Sequence, residues 1–126
     1  MFWQFTAVGF GAALGAWLRW GFSFWLGPRS GTWPLGTIAS NLVGGYLVGI
    51  AVAFFAMRPG LAPEWRLLAV TGFLGGLTTF STFSAEVTEL MTRGDVLSAT
   101  GLAAAHLFGS LLLTAAGFAT VRLLAS

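Results

Sequence analysis

The sequence predicts an all-α membrane protein with four transmembrane helices, the third of them broken. Of its 126 residues 56% are hydrophobic and only 8% are charged, and the mean hydropathy is +0.84. A soluble domain carries roughly 25% charged residues. Four apolar stretches reach the roughly 20 residues that a helix needs to cross the hydrocarbon core of a bilayer. Only the third of these stretches contains a dense polar run, and that run predicts the break.

The spans and turns follow one another closely along the chain. They cover residues 2–26, 35–57, 65–91 and 96–124, which together form one domain over residues 1–126. The turn GPRSG follows the first span, WP and RPG flank the second, and TRGD follows the third. The first span lacks the positive start of a secretory signal, and its apolar run is too long for one, so we interpret it as a retained helix. Tryptophans near the span ends fit an interfacial aromatic belt: Trp3, Trp20, Trp25, Trp33 and Trp65.

Composition and motifs exclude several other classes. The basic residues are single arginines scattered between apolar runs, so no basic patch for nucleic acid forms. Cysteine is absent, which excludes a disulfide framework and a thiolate metal site. We find no nucleophile elbow, no phosphate-binding glycine loop and no acid pair flanked by a base. The sequence therefore does not predict an enzyme.

Small residues recur at the four-residue spacing that lets helices approach closely in lipid. They occur in GAALG (Gly11, Gly15), GYLVG (Gly45, Gly49), GFLGG (Gly72, Gly76) and the series Gly101, Ala105, Gly109. One interpretation is packing within a single subunit. The other is that so many small faces also serve a second copy. Because a four-helix bundle fills its own centre with side chains, a transport function would require an oligomer.

The arginines are evenly divided between the two sides of the membrane. With four spans, one side carries Arg58, Arg66 and Arg122, and the other carries Arg19, Arg29 and Arg93. Orientation normally follows an excess of Lys and Arg on the cytoplasmic side, and here there is none. The balance predicts insertion in both orientations and an antiparallel homodimer, although counts this small also balance by chance.

Polar residues within the spans are candidates for function, because they are costly in lipid. Asn41 in SNLVGG either bonds between helices or lines a solute path. His106, Ser110 and Thr114 are spaced by four and therefore share one helix face. Serine and threonine can bond back to their own helix, whereas the histidine favours a shared polar track. A lone histidine without a partner at ligand spacing is a poor metal ligand.

The charged residues in or near the spans differ in their expected roles. Arg19 lies inside the first span, where it either extends its guanidinium to the interface or draws anions into a vestibule. Glu89 fits a solvated charge at a helix end. Glu86 adjoins the polar run of the third span, so it is the better functional candidate.

The polar run GGLTTFSTFS is a poor helix former, and we expect an interruption near Gly75–Thr79. Non-helical backbone survives at membrane depth only when it is buried in protein or lines a cavity. A break frees carbonyl oxygens that suit a hard cation and N–H groups that suit an anion. Phe80 and Phe83 either pack, as most membrane phenylalanines do, or present their positive ring edges to a small anion.

The motifs GAWLRW, NLVGGY and, above all, TGFLGGLTTFSTFSAE resemble those of the Fluc (CrcB) fluoride channels of bacteria. The resemblance spans essentially the whole chain in length, span number and motif order. It implies an antiparallel dual-topology homodimer with two fluoride pores and a structural sodium ion at the dimer interface. The backbone carbonyls of Gly75 and Thr78 would hold that ion. The implied fluoride pathway comprises Phe80, Phe83, Asn41, Ser81, Thr82, Glu86, Arg19, His106, Ser110 and Thr114.

The function that this resemblance implies is passive, fluoride-selective conduction in the bacterial plasma (inner) membrane, which lowers the toxicity of cytoplasmic fluoride. The alternative is a dual-topology proton/drug exchanger of the small multidrug type. Such an exchanger needs a membrane-buried acid in its first helix, where this chain has only Arg19 as a charged residue. A third interpretation is a membrane assembly protein without transport. For the fluoride channel, the implied partners are the fluoride ion, a second copy of the chain and the lipid bilayer, with no nucleic acid.

Overall fold

A computed structural model describes residues 1–27 and 33–126, most of which are helical. Helix α1 covers Phe2–Leu26 and helix α2 covers Leu35–Ala56. The start of α2 after Trp33-Pro34 agrees with the prediction. Arg29 and the rest of the turn predicted after Gly27 lie outside the described residues.

The third segment, residues 63–92, is interrupted in its middle. It consists of α3 (Pro63–Arg66), a π-helical stretch (Leu67–Leu74), α4 (Gly75–Leu77) and α5 (Phe80–Thr92). Between α4 and α5 the chain is extended, with φ −90° and ψ 155° at Thr78 and φ −150° and ψ 119° at Thr79. The predicted interruption is confirmed at these two threonines. The glycines before them remain helical, so the break is narrower than its composition indicated.

Local hydrogen bonds explain why helix resumes at once after the break. The Thr79 hydroxyl oxygen accepts a hydrogen bond from the Thr82 N–H at 3.1 Å and so caps the first turn of α5. Threonine is a favoured residue at this position because its oxygen satisfies an N–H that has no partner in the helix. The interruption is therefore a defined turn between two helices.

The last helix, α6, covers Val96–Ala125 and follows α5 through a tight turn. Gly94 has a positive φ of 81°, and the Asp95 N–H donates to the Leu90 carbonyl at 3.0 Å. This is the pattern of a glycine-terminated helix, in which the missing Cβ allows the left-handed conformation. The Asp95 carboxylate then accepts a bond from the Ser98 N–H at 3.2 Å and caps α6.

Among the described residues, three helical segments are long and apolar enough to cross a membrane: Leu35–Ala56, Pro63–Thr92 and Val96–Ala125. They correspond to the second, third and fourth predicted spans. Helix α1, with 25 residues, is longer than Leu35–Ala56, which has 22, and shorter than the other two segments, which have 30 each. It is less apolar, because it contains Gln4, Arg19 and several tryptophans. Its membrane crossing stays a prediction.

Helix α1 packs against the π-helical stretch and α4 through small residues. Gly11 and Gly15 face the backbone of the third segment, and Gly72 and Gly76 face the backbone of α1. A Cβ added at any of these four glycines would overlap backbone atoms of the neighbouring helix. The first and third small-residue patterns therefore serve packing within one chain.

Helices α2 and α6 form the second close pair. A Cβ at Gly49 would overlap the Thr114 carbonyl, and one at Gly117 would overlap the Tyr46 carbonyl. In this pair too, the small residues are used inside the chain. The argument that the glycine patterns exceed the needs of one chain is therefore not supported for these positions, and any dimer must rest on other evidence.

Candidate functional site

A cavity of about 490 Å³ lies where α2, α6 and the broken third segment meet. Its polar and aromatic lining consists of Asn41, Thr78, Thr79, Phe80, Phe83, His106, Ser110 and Thr114. Gly44, Gly45 and Gly75 contribute backbone to the wall. The cavity thus gathers most of the predicted polar residues of three separate spans.

Asn41 ties α2 to the break. Its side-chain oxygen accepts a hydrogen bond from the Thr79 N–H at 2.8 Å, and its Nδ2 donates to the Thr79 carbonyl at 3.0 Å. The extended conformation of Thr79 leaves both groups outside the helical pattern, and one amide side chain satisfies both. Asn41 therefore bonds between helices, as one interpretation predicted, and lines the cavity, whereas its place on a solute path stays a prediction.

Phe80 and Phe83 lie at the start of α5, on the cavity wall. Their rings meet edge to face, with centroids 5.4 Å apart and planes inclined by 70°. Phe80 is 77% exposed, so it does not pack into the interior of its own chain. Phe83 also contacts the His106 ring, with centroids 4.4 Å apart. Phe80 therefore does not pack in the core of this chain, and the choice between packing elsewhere and a contact with an anion stays open.

The predicted polar stripe of α6 lines this cavity. His106 is buried, and its Nδ1 lies 3.0 Å from the Asn41 Nδ2. Thr114 donates from its hydroxyl to the Gly45 carbonyl at 2.8 Å, so it bonds to α2 and not back to its own helix. Ser110 lies between them on the cavity wall. The shared face predicted from the four-residue spacing is confirmed, whereas its role in conduction stays a prediction.

Arg19 contacts the other side of the break. Its Nε donates a hydrogen bond to the Gly76 carbonyl at 3.0 Å, and the side chain is half-buried. Neither predicted role, at the membrane interface or in a vestibule, describes this contact. In the structure Arg19 stabilises the end of α4, just before the extended threonines.

The two glutamates of α5 behave differently, as expected. Glu89 is exposed and forms an ion pair with Arg93, one turn later on the same helix. Glu86 accepts a hydrogen bond from the Thr37 hydroxyl at 2.7 Å, while its other carboxyl oxygen is buried without a protein partner among the described residues. Glu86 lies one turn beyond the cavity-lining residues of α5 and not in the lining itself.

Two predicted pathway residues support the break more than they line the cavity. The exposed Ser81 lies 3.3 Å from the Thr79 hydroxyl, oxygen to oxygen, and Thr82 provides the N–H that this hydroxyl caps. Within the described part of the chain, neither residue belongs to the cavity wall. A direct role for their hydroxyls stays a prediction.

The carbonyls proposed for a cation flank the interruption. Those of Gly76 and Thr79 already accept hydrogen bonds from Arg19 and Asn41. Those of Gly75 and Thr78 accept no side-chain hydrogen bond in the described ranges. Residues 1–27 and 33–126 contain no group of three His, Cys, Asp or Glu suited to a metal, and the sodium site stays a prediction.

Gly75 lies in the helical part of the third segment, before the extended threonines. The nearest atom to an added Cβ would be the Val70 carbonyl oxygen at an ordinary 3.8 Å. The chain's own turn therefore leaves room for a Cβ at this position. Glycine would be required at position 75 only if another molecule packed closely against its backbone.

Two important residues were missed from the sequence. Thr79 anchors the break through both its backbone and its hydroxyl, and Thr37 binds Glu86. Thr37 lies four residues before Asn41, so a stripe on one face of α2 was the available signal. No comparable signal marks the backbone of Thr79.

These features together define a class: an α-helical membrane protein in which a cavity lined by polar and aromatic side chains lies beside an interrupted helix. Residues 6–118 match the model of a family described as CrcB-like protein, Camphor Resistance (CrcB). The chain belongs to this family.

Many curated relatives carry one name, "Fluoride-specific ion channel FluC". The protein of Thiobacillus denitrificans is 56% identical over 120 residues, covering 95% of this chain and 97% of its own. That of Cupriavidus metallidurans is 63% identical over 121 residues, covering 96% of both. That of Pseudomonas putida is 58% identical over 114 residues, covering 90% of both. These relatives are channels by name, not enzymes, which agrees with the absence of catalytic motifs.

Proposed function

We propose that this protein is a passive, fluoride-selective ion channel. The observation that carries the proposal is the geometry of the break: an amide, a histidine, four hydroxyls and two phenylalanines line one cavity beside unwound backbone within an apolar helical segment. Such a lining offers hydrogen-bond donors and positive ring edges to a small anion while the walls remain largely apolar. The names of relatives that match nearly the full chain support the same ion.

In the proposed arrangement the protein lies in the bacterial inner membrane, where it lets fluoride leave the cytoplasm. Helix α1 provides a fourth span beside the three most apolar segments. Fluoride enters an acid-stressed cell as HF and dissociates inside, so a passive path for the anion suffices. No acid lies in α1, which disfavours the proton/drug exchanger.

The working unit is an antiparallel homodimer. One wall of the cavity includes the 77% exposed Phe80 and the exposed Leu107 and Leu111, so a single chain leaves the site open. A second copy would close it. The balanced arginines support insertion in both orientations, which an antiparallel dimer requires.

A sodium ion at the dimer axis is the proposed structural cofactor. Two copies would bring four carbonyl oxygens together, from Gly75 and Thr78 of each chain, and carbonyl dipoles suit a desolvated hard cation. Close approach across an axis would also explain glycine at position 75, which the single chain does not. Exchanging sodium for a large organic cation during purification should lower the melting temperature of the dimer. Unchanged melting in sodium-free buffer would contradict the proposal.

Fluoride efflux from liposomes tests the function itself. Vesicles loaded with potassium fluoride should release it rapidly once valinomycin removes the opposing voltage, whereas vesicles loaded with potassium chloride should not. A drug-stimulated proton signal without fluoride release would favour the exchanger. Release of neither ion would favour an assembly protein.

A further inference from the structure

Within residues 1–27 and 33–126, Arg19 is the one charged side chain that hydrogen-bonds to the interruption at residues 75–79. Its Nε donates to the Gly76 carbonyl at 3.0 Å, and the side chain is half-buried. Gly76 lies between Gly75 and Thr78, whose carbonyls are the proposed ligands of the sodium ion. Because a guanidinium stays protonated in proteins, a positive charge is fixed next to these carbonyls.

The four acidic residues of the chain lie elsewhere. Glu64 is in the first turn of α3, Glu89 pairs with an arginine on its own helix, and Asp95 caps α6. Glu86 accepts its hydrogen bond from a threonine of α2. In the described part of the chain, no carboxylate hydrogen-bonds to Arg19 or to the break. The charge of Arg19 is therefore not neutralised by an acid of its own chain.

This distribution of charge limits which cations the carbonyls of Gly75 and Thr78 suit. Main-chain oxygens are ligands that hard cations accept, so the donor atoms fit such an ion in kind. Attraction to neutral carbonyl dipoles and repulsion from Arg19 both increase in proportion to the charge of the ion. The cost of removing the ion from water increases with the square of that charge. Calcium sites usually offset this cost with carboxylates, and none lies here.

We propose that Arg19 is the residue that restricts the cation site at the break to singly charged ions. The inference rests on the proposed sodium site and adds the determinant of its selectivity. Arg19 acts in two ways: its charge repels a second positive charge, and its hydrogen bond occupies the Gly76 carbonyl, which lies between the two proposed ligands.

Two substitutions separate the charge of Arg19 from its hydrogen bond. In glutamine the Nε2 is attached to Cδ, as the Nε is in arginine, so Arg19→Gln retains an N–H near the Gly76 carbonyl and removes the charge. Arg19→Lys retains the charge and carries its donor one atom further from the backbone. Arg66→Gln is the matched control, because it removes the same charge from an exposed position in α3.

The melting temperature of the dimer reports cation binding without any measurement of flux. Each protein is purified in N-methylglucamine chloride, and sodium chloride or calcium chloride is added at matched ionic strength. In the unaltered protein, Arg19→Lys and Arg66→Gln, sodium should raise the melting temperature and calcium should not. In Arg19→Gln calcium should raise it as well, and the sodium concentration that gives half of the shift should be roughly tenfold lower.

Several results would overturn the inference alone. One is an Arg19→Gln protein that sodium stabilises at the usual concentration and calcium still does not stabilise. Another is stabilisation of Arg19→Lys by calcium, which would assign the selectivity to the hydrogen bond. Stabilisation of the unaltered protein by calcium would also overturn it, and this result does not depend on whether any variant folds. A melting temperature of the unaltered protein that sodium leaves unchanged would instead overturn the proposed sodium site, and absence of fluoride flux would overturn the proposed channel.

Discussion

Replacing Asn41 by alanine should loosen the break without disturbing the rest of the bundle. The substitution removes two hydrogen bonds to Thr79 and one to His106. Because the backbone of Thr79 is extended, its N–H has no partner within a helix. That N–H bonds to the side chain of Asn41 instead. The break is therefore the part of the protein that depends most on this one side chain.

The magnitude follows from the groups left without partners. An unsatisfied buried backbone group costs about 1–3 kcal/mol, and the lower limit applies here because water in the cavity can replace part of each bond. For the N–H and carbonyl of Thr79 together, we expect a loss of about 2 kcal/mol, or roughly 30-fold in the folding equilibrium. Asn41→Asp should be no better than alanine, because its second carboxylate oxygen would face the Thr79 carbonyl and the His106 Nδ1 as a third acceptor.

Tyr46→Phe is a matched control on the same helix. It removes one hydrogen bond, to the Thr120 hydroxyl at 2.8 Å, which joins α2 to α6 and does not involve the break. We expect a loss of about 1 kcal/mol or less for this variant. Equilibrium unfolding in mixed micelles measures the free energy of unfolding of the unaltered protein, Asn41→Ala and Tyr46→Phe.

Hydrogen exchange of the Thr79 amide gives the residue-specific result. This amide should be protected in the unaltered protein and in Tyr46→Phe, although it lies outside the helices, and it should exchange rapidly in Asn41→Ala. Equal protection of Thr79 in Asn41→Ala and in the unaltered protein would refute the reasoning, since another group would then have to hold the break.

Three further outcomes follow from the same contacts. Phe80→Ile should leave the fold of each chain intact, because the ring is 77% exposed in its own chain, and should strongly reduce fluoride efflux from protein that still runs as a dimer on gel filtration; near-normal efflux from an intact dimer would return Phe80 to a packing role. Gly76→Ala should destabilise the chain strongly, since an added Cβ would overlap α1, whereas Gly75→Ala should leave the fold of each chain intact; equal melting temperatures for the two variants would contradict this packing. Gly60→Cys, at an exposed turn of a cysteine-free chain, should react with impermeant thiol reagents from both sides of the membrane, and complete labelling from one side alone would exclude dual topology.

The sequence predicted the helices well because hydropathy and turn residues act locally. The bounds of α2 and α6 agree closely with the predicted spans, and the extended Thr78 and Thr79 lie within the stretch expected to be interrupted. The stripe of α6 was predictable for the same reason, since a four-residue period places side chains on one face. The dense polar run alone identified the third segment as the span that would be interrupted.

Contacts between segments were less accessible to sequence reasoning. The bonds from Arg19 to Gly76 and from Asn41 to Thr79 join residues 57 and 38 positions apart, and their partners are backbone atoms that carry no residue-specific signal. The exact position of the interruption was also less accessible, because the extended backbone begins at Thr78, three residues after Gly75. The small-residue patterns left packing within one chain and contact with a second copy open, and only the structure shows that Gly11, Gly15 and Gly49 face neighbouring helices of the same chain.

Selective passive conduction is the central claim, and the reversal potential of the reconstituted protein tests it most directly. In a planar bilayer with a tenfold fluoride gradient and equal chloride on both sides, a current carried by fluoride alone should reverse near the equilibrium value for a univalent ion, about 59 mV. Adding a proton gradient should not move that potential. A reversal near zero, or one that follows the chloride or proton gradient, would contradict the account.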